Sequence, residues 1–392
     1  MKWSRIVLPL LLMLLFLSGC AGPVGGTEDE THKQIEKRCQ EITSLYQDLY
    51  SGADKKEPNS RWEDSALSQK DIEAIEERLL SSGLTVMRTN GDDPEYLAAG
   101  GGFRGFLDSV RRGKSVSQEV LAIRSSGELD YRLFTYRDGK LFVYGMIAPL
   151  DDGTDPDYEA HEVLDWELTD RGNFYYRIHP LGDKHFAGYS LIRLEKPDPE
   201  LCALTRKYIS AGGYVGSNLF LINWTEEDFS RLCFNDLWEY LYRYEHGSQF
   251  FPEGYEYNTE KHGFLIPAHE FEKVILPHFD IDTQTLRSLA QYDPVRDAYP
   301  WRQIETNDYA FHLRYYTMEP EAVSYTANED GTITITVQVL STDLKTDCLF
   351  SHEVTIRPQE NGEFQFVGNQ VLSQTEHGLP YAEPRLTWEA AG

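Results

Sequence analysis

Basic residues are scarce in this chain: 37 Lys and Arg stand against 64 Asp and Glu over 392 residues, a net charge of −27. So acidic a surface repels phosphate backbones and anionic headgroups, which argues against nucleic acid as a partner. Cysteine is sparse too, at five residues. There is no Cys-x-x-Cys and no His at zinc-finger spacing from the cysteines. Gly-x-Ser-x-Gly is missing, and Gly216-Ser217 lacks its flanking spacing. No Ser-x-x-Lys comes with the companion elements of penicillin-binding enzymes, and no Gly-x-x-x-x-Gly-Lys phosphate loop occurs. No apolar run reaches the roughly twenty residues that a membrane-spanning helix needs.

What is present begins at the N-terminus. Lys2 and Arg5 precede an apolar run from Ile6 to Leu17, broken only by Pro9, which closes on Leu17-Ser18-Gly19-Cys20. Basic, then apolar, then small is the order of a secretory signal. The closing four residues resemble the lipobox of bacterial lipoproteins. That resemblance implies a signal peptide over 1–19 and lipidation of Cys20. It places the chain on the extracytoplasmic face of the cell membrane, held by an N-terminal lipid. One acyl chain holds only marginally, so stable anchoring takes two or more. Residues 20–31, rich in Gly and Pro and ending in Glu28-Asp29-Glu30, read as a flexible tether.

Hydrophobic residues make up 41% and aromatics 13%, ample for packed cores, and the length suggests two domains. Ile35, Cys39, Ile42, Tyr46 and Leu49 mark one face of a helix. Ser68 with Asp71 caps a second, through Ile72, Ile75 and Leu79 to Gly83. Ala98 to Phe103, with Gly100-Gly101-Gly102, reads as a flexible turn. From Val116 the period becomes two. Hairpins are predicted around Asp138-Gly139 and Asp170-Arg171-Gly172-Asn173, with a further strand over Phe186–Leu194. Lys196-Pro197-Asp198-Pro199 excludes regular structure and marks a boundary. The first domain therefore runs 32–196 and the second 197–392.

In the second domain, helices are predicted over 200–290. The longest is capped by Thr225 and Asp228, reaches Tyr244, and is apolar around most of its circumference. Shorter ones begin at Pro267 and Thr283. A β-meander spans 322–371, with turns at Asp330-Gly331 and Asn361-Gly362, and Ile333, Ile335, Val337 and Val339 form its buried face. The residues from His377 read as frayed. The fold class is α+β, each domain placing helices before an antiparallel meander.

The stretch from Pro267 to Leu372 resembles the closing part of uncharacterised lipoproteins of Gram-positive bacteria. The likeness rests on Ile266-Pro267, Tyr292-Asp293, Glu319-Pro320, Asp330-Gly331-Thr332 and Ser351-His352-Glu353 ahead of Asn361-Gly362. It implies location and fold, and no activity.

Two stretches carry candidate chemistry. Asp151, Asp152, Asp155, Asp157 and Glu159 crowd one loop with hard oxygen ligands of the kind Ca²⁺ takes, although not at EF-hand spacing; no other cofactor is implied. Tyr244, Phe250, Phe251, Tyr255 and Tyr257 supply rings that suit a sugar or a partner peptide. In His269-Glu270-Phe271-Glu272, no second His follows at the zincin position, so a solvated helix face is predicted. His352 and Glu353 lie in a strand and point to opposite faces. Cys39, Cys202, Cys233 and Cys348 allow three disulfide pairings, and the sequence does not choose among them. Together these readings describe a lipid-anchored binding or interaction module of the cell envelope, taking a protein or glycan. The alternatives are an envelope hydrolase whose residues meet from distant positions and, third, a solute-binding receptor.

Overall fold

The computed structural model describes residues 28–55, 66–90, 93–150, 156–178, 188–303, 317–375, 378–380 and 384–387. The signal segment with Cys20, and Asp151, Asp152 and Asp155, lie outside the described residues. Two compact units divide the chain, Met1–Pro197 and Asp198–Gly392. Both mix helices with antiparallel sheet, so the fold is α+β. Among the described residues, no helix is long and apolar enough to cross a membrane.

The N-terminal unit opens with α1 (Glu28–Thr43), α2 (Gln47–Gly52) and α3 (Gln69–Ser81). Helix α1 starts four residues before the predicted point, with Asp29 and Glu30 in its first turn, where the dipole favours negative charge. The cap of α3 is as expected: Asp71 N donates to Ser68 Oγ at 3.2 Å, and Gly83 follows at φ +80°. A hairpin of β1 (Met87–Asn90) and β2 (Asp93–Leu97) follows, and then α4 (Gly101–Arg111).

Helix α4 corrects the expected flexible turn. Phe103, Phe106, Leu107 and Val110 are buried on one face of it. Gly100 ahead of it serves close approach, since a Cβ there would collide with the Leu194 carbonyl.

Strands β3 (Val116–Ile123), β4 (Leu129–Arg137), β5 (Lys140–Ala148), β6 (Asp157–Leu168), β7 (Asn173–Ile178) and β8 (Ser190–Arg193) form one six-stranded sheet in sequence order. Alternation buries both faces. Leu121, Leu129, Tyr131, Leu133 and Met146 pack with α1–α3, whereas Val120, Phe134, Val143, Phe174 and Ile192 pack with α4.

The C-terminal unit begins with α5 (Pro199–Leu204), which Asp198 caps by accepting from Glu200 N at 2.8 Å. A π-helical turn, Thr205–Ile209, continues it. The expected long helix from Thr225 does not form. Trp224–Thr225 is instead a short strand, β9, paired with the last strand of the large sheet. The Trp224 indole donates to Leu219 O at 2.8 Å, and Asp228 turns the chain by accepting from Ser230 N at 2.9 Å. The helix proper, α6, spans Phe234–His246; Cys233, half-buried, sits at its cap, and its backbone N donates to Asn218 Oδ1 at 3.1 Å.

A small sheet absent from the sequence reading joins β10 (Tyr257–Asn258), β11 (Gly263–Pro267) and β12 (Ala298–Trp301). Helices α7 (Ala268–Ile275) and α8 (Thr283–Leu289) lie between β11 and β12 in the chain. The predicted meander is present as β13 (Glu319–Ala327), β14 (Ile333–Ser341), β15 (Thr346–Pro358) and β16 (Phe364–Gln374), with β9 completing five strands. Ile335, Val337 and Val339 are fully buried, as the alternation requires, while Ile333 at the start of β14 is half-buried. The C-terminal tail is not wholly frayed: Arg385, in a short 3₁₀ turn, is fully buried.

Candidate functional site

The expected aromatic cluster divides. Phe250 is core: its ring lies 4.8 Å from Trp238 and 5.1 Å from Trp301, both edge-on. Tyr255 is half-buried and donates to Glu270 Oε2 at 2.7 Å; burial first, then that carboxylate, pushes its pKa up to about 12. Tyr244, Phe251 and Tyr257 are exposed. Tyr244 nevertheless leans on the core, 5.6 Å from Phe364. Tyr257 packs edge-on against Phe264 at 5.1 Å. A single aromatic surface is therefore not assembled.

Of the acidic loop, Asp157 and Glu159 are described. Both are exposed on β6, and Glu159 Oε2 lies 3.2 Å from His161 Nε2. Among the described residues, no group of His, Cys, Asp and Glu is placed to hold a metal ion. His269 is exposed as predicted. Glu272 is not solvated: it takes Arg287 Nε at 2.6 Å and the Tyr299 hydroxyl at 3.0 Å.

A better-formed site lies beside Tyr257. It is a cleft of about 350 Å³ lined by Asn258, Lys261, Leu265, residues 290–294 and Pro300, with Leu265 and Pro300 paired across β11 and β12. The first wall is the β10–β11 turn. Asn258 Oδ1 accepts from Glu260 N at 2.9 Å and Lys261 N at 3.1 Å, which fixes the turn from within. Gly263 lets the strand slide under Trp301, whose carbonyl lies 2.8 Å from where a Cβ would stand.

The second wall is held more tightly. Asn235, buried on α6, accepts from Gln291 N at 3.0 Å and donates to Pro300 O at 2.8 Å. Asp293 accepts from Val295 N at 2.9 Å, Arg296 N at 3.1 Å and Arg296 Nη1 at 2.9 Å; the Arg296 side chain is the main cause holding its carboxyl below the usual range. The Tyr292 hydroxyl donates to Asp297 Oδ1 at 2.5 Å, and the Arg287 guanidinium covers the Tyr292 ring at 4.6 Å. This network leaves Val295 at the loop tip, 89% exposed.

Leu265, Ala290, Pro294 and Pro300 make the cleft part apolar, while Lys261 and Gln291 add an ammonium and an amide. Such a mixture favours selective binding. In the sequence one part of this stood out, Tyr292-Asp293, as a feature of the lipoprotein resemblance. Asn235 was illegible, since a polar residue in a helix apolar nearly all round gives no sign of what it meets.

Fold and cleft thus define an α+β protein with a part-apolar cleft beside a rigid loop. Residues 32–385 match the model of a family of unknown function (DUF6070), and the chain belongs to that family. No curated protein and no solved structure matches it.

Proposed function

We propose that the chain is a lipid-anchored, extracytoplasmic binding module, and that the cleft between the β10–β11 turn and residues 290–294 takes part of an envelope protein or glycan. The observation that carries this reading is the loop from Asp293 to Asp297. Its hydrogen bonds hold the backbone in place while Val295 stands 89% exposed. An isolated apolar tip on a soluble surface is ordinary. A tip fixed by five neighbouring polar groups beside a cleft has its ordering entropy already spent, which raises affinity for whatever it meets. The acidic surface disfavours anionic partners and leaves neutral or cationic ones. The lipobox-like Leu17-Ser18-Gly19-Cys20 supports the location.

The test is photo-crosslinking in intact cells from Val295, with exposed Leu164 of β6 as the control position. A discrete adduct from Val295 and none from Leu164 is the expected outcome. Protease or muralytic treatment of that adduct then tells protein from glycan. Identical patterns from both positions, or none from either, overturn the assignment of the cleft.

A further inference from the structure

The last described turn of the chain ends in a buried charge cluster. Arg385 is fully buried, and Asp236 and Glu239 of α6 are 3% and 2% exposed at their side chains. Three residues apart on a helix, the two carboxylates share a face. Arg385 Nε donates to Asp236 Oδ1 at 3.0 Å and Nη1 to Glu239 Oε2 at 2.6 Å. Nη2 donates to Asp236 O, and Nη1 also to Arg302 O, each at 2.7 Å. The Arg385 backbone N takes the second Asp236 oxygen at 3.0 Å. The planar fork is matched along its edges, which an ammonium cannot imitate.

We propose that Asp236 and Glu239 form a guanidinium-binding site on α6, filled by the chain's own Arg385 as the clasp of its C-terminal segment.

Three features favour a clasp over ordinary core. The element carrying Arg385 is a turn of only three residues, Arg385–Thr387. The Arg385 side chain reaches α6 and the Arg302 carbonyl, both far away in sequence. Both carboxylates that Arg385 meets are buried on one face of α6, an arrangement that favours a cation. Burial pushes the Asp236 carboxyl up while Arg385 pulls it down, so loss of the guanidinium removes the main offset to the desolvation of Asp236.

The clasp reaches the small sheet. Leu386 sits beside Gly263, where an added Cβ would lie 3.2 Å from Leu386 Cδ2. Its occupancy should therefore be felt along β11 and β12.

Chemical rescue tests it on the full chain. Arg385→Ala keeps Cβ and leaves a space of the shape of ethylguanidinium. The variant should melt about 10 °C lower. Millimolar ethylguanidinium, far below the molar levels at which guanidinium salts denature, should restore at least half of that loss. It should leave the unaltered protein unchanged, and ethylammonium should restore much less. Hydrogen exchange over 263–267 and 298–301 should quicken in the variant and slow again with ethylguanidinium. Should Arg385→Ala not fold, the soluble yield on refolding with each cation gives the same comparison, and Arg385→Lys, charged but unforked, should melt well below the unaltered protein. Equal effects of the two cations, equal effects on both proteins, or a lysine variant as stable as the original would each overturn the proposal.

Discussion

Acid should loosen the C-terminal unit through one imidazole. His352 on β15 is fully buried, its Nδ1 2.7 Å from Asn369 Oδ1 and its Nε2 2.7 Å from the Tyr214 hydroxyl. An amide oxygen on one side and a phenol on the other suit the neutral ring, with Nδ1–H donating and Nε2 accepting. Burial lowers the pKa from 6.5 to about 4, against a smaller opposing effect of the Asn369 bond. Between those values the unfolded chain binds a proton that the folded chain refuses. The contribution to stability is therefore complete above pH 6.5 and is lost as the pH falls towards 4. At about 1.36 kcal/mol per pH unit, the loss is about 3 kcal/mol, or about 10 °C in melting temperature for a unit of this size. Urea unfolding of the protein and of His352→Gln, from neutral pH down to about pH 4, isolates the effect, because the other titrating groups are common to both. At neutral pH the variant should be less stable, by about 1–3 kcal/mol for the partners it leaves unsatisfied. The gap should then close by about 3 kcal/mol on acidification. Two parallel stability curves would refute the neutral, desolvated imidazole.

Three further outcomes are expected. Cys20→Ala should leave the precursor uncleaved at Gly19 or release the protein into the medium; unchanged membrane retention with an unchanged mature N-terminal mass would end the lipoprotein reading. A fragment covering 32–196 should melt cooperatively by itself, since Pro197 and Pro199 interrupt the chain and the six-stranded sheet closes before them; a fragment without dispersed amide shifts would refute that independence. If Asp151, Asp152, Asp155, Asp157 and Glu159 gather Ca²⁺, saturation at a hundredfold excess over Kd should add about 2.7 kcal/mol, and Asp155→Asn with Asp157→Asn should remove the gain. NaCl of equal ionic strength is the control, and an equal rise with it leaves the loop as solvated surface.

What the sequence revealed followed how local the cause was. The hairpins at Asp138-Gly139, Asp330-Gly331 and Asn361-Gly362 were readable because a few residues decide them; Asp138, Gly139, Gly331 and Gly362 all take positive φ. The Ser68 cap was readable for the same reason. Helix α4 was hidden by Gly100-Gly101-Gly102, of which only Gly100 answers a steric need, at the distant Leu194 carbonyl. The helix start at Thr225 was misplaced because Trp224 and Thr225 pair with Asn369 and Gly368, more than a hundred residues away. A capping pattern is a weak local preference, and a sheet edge overrode it. Of the cleft, Tyr292-Asp293 alone was visible; its walls meet through a sheet of three very short strands that no periodicity announces.

Helix α6 gathers those hidden causes. From Phe234 to Tyr242 the helix is largely enclosed and has no use for a solvent face, and Phe234, Leu237, Trp238 and Leu241 meet that condition; its last turn, Arg243 to His246, is exposed. Asn235, Asp236 and Glu239 violate it, each within the same first two turns. An unmet buried polar group costs about 1–3 kcal/mol, so each of these residues demands a specific partner from elsewhere in the chain. Asn235 takes Gln291 and Pro300 and so sets one wall of the cleft. Asp236 and Glu239 take Arg385 and so fix the tail. Replacing all three with apolar residues would leave the helix buried, yet remove what selects the partners. The polar residues of α6 therefore supply placement where its apolar residues supply adhesion, and placement is what a preorganised binding site requires.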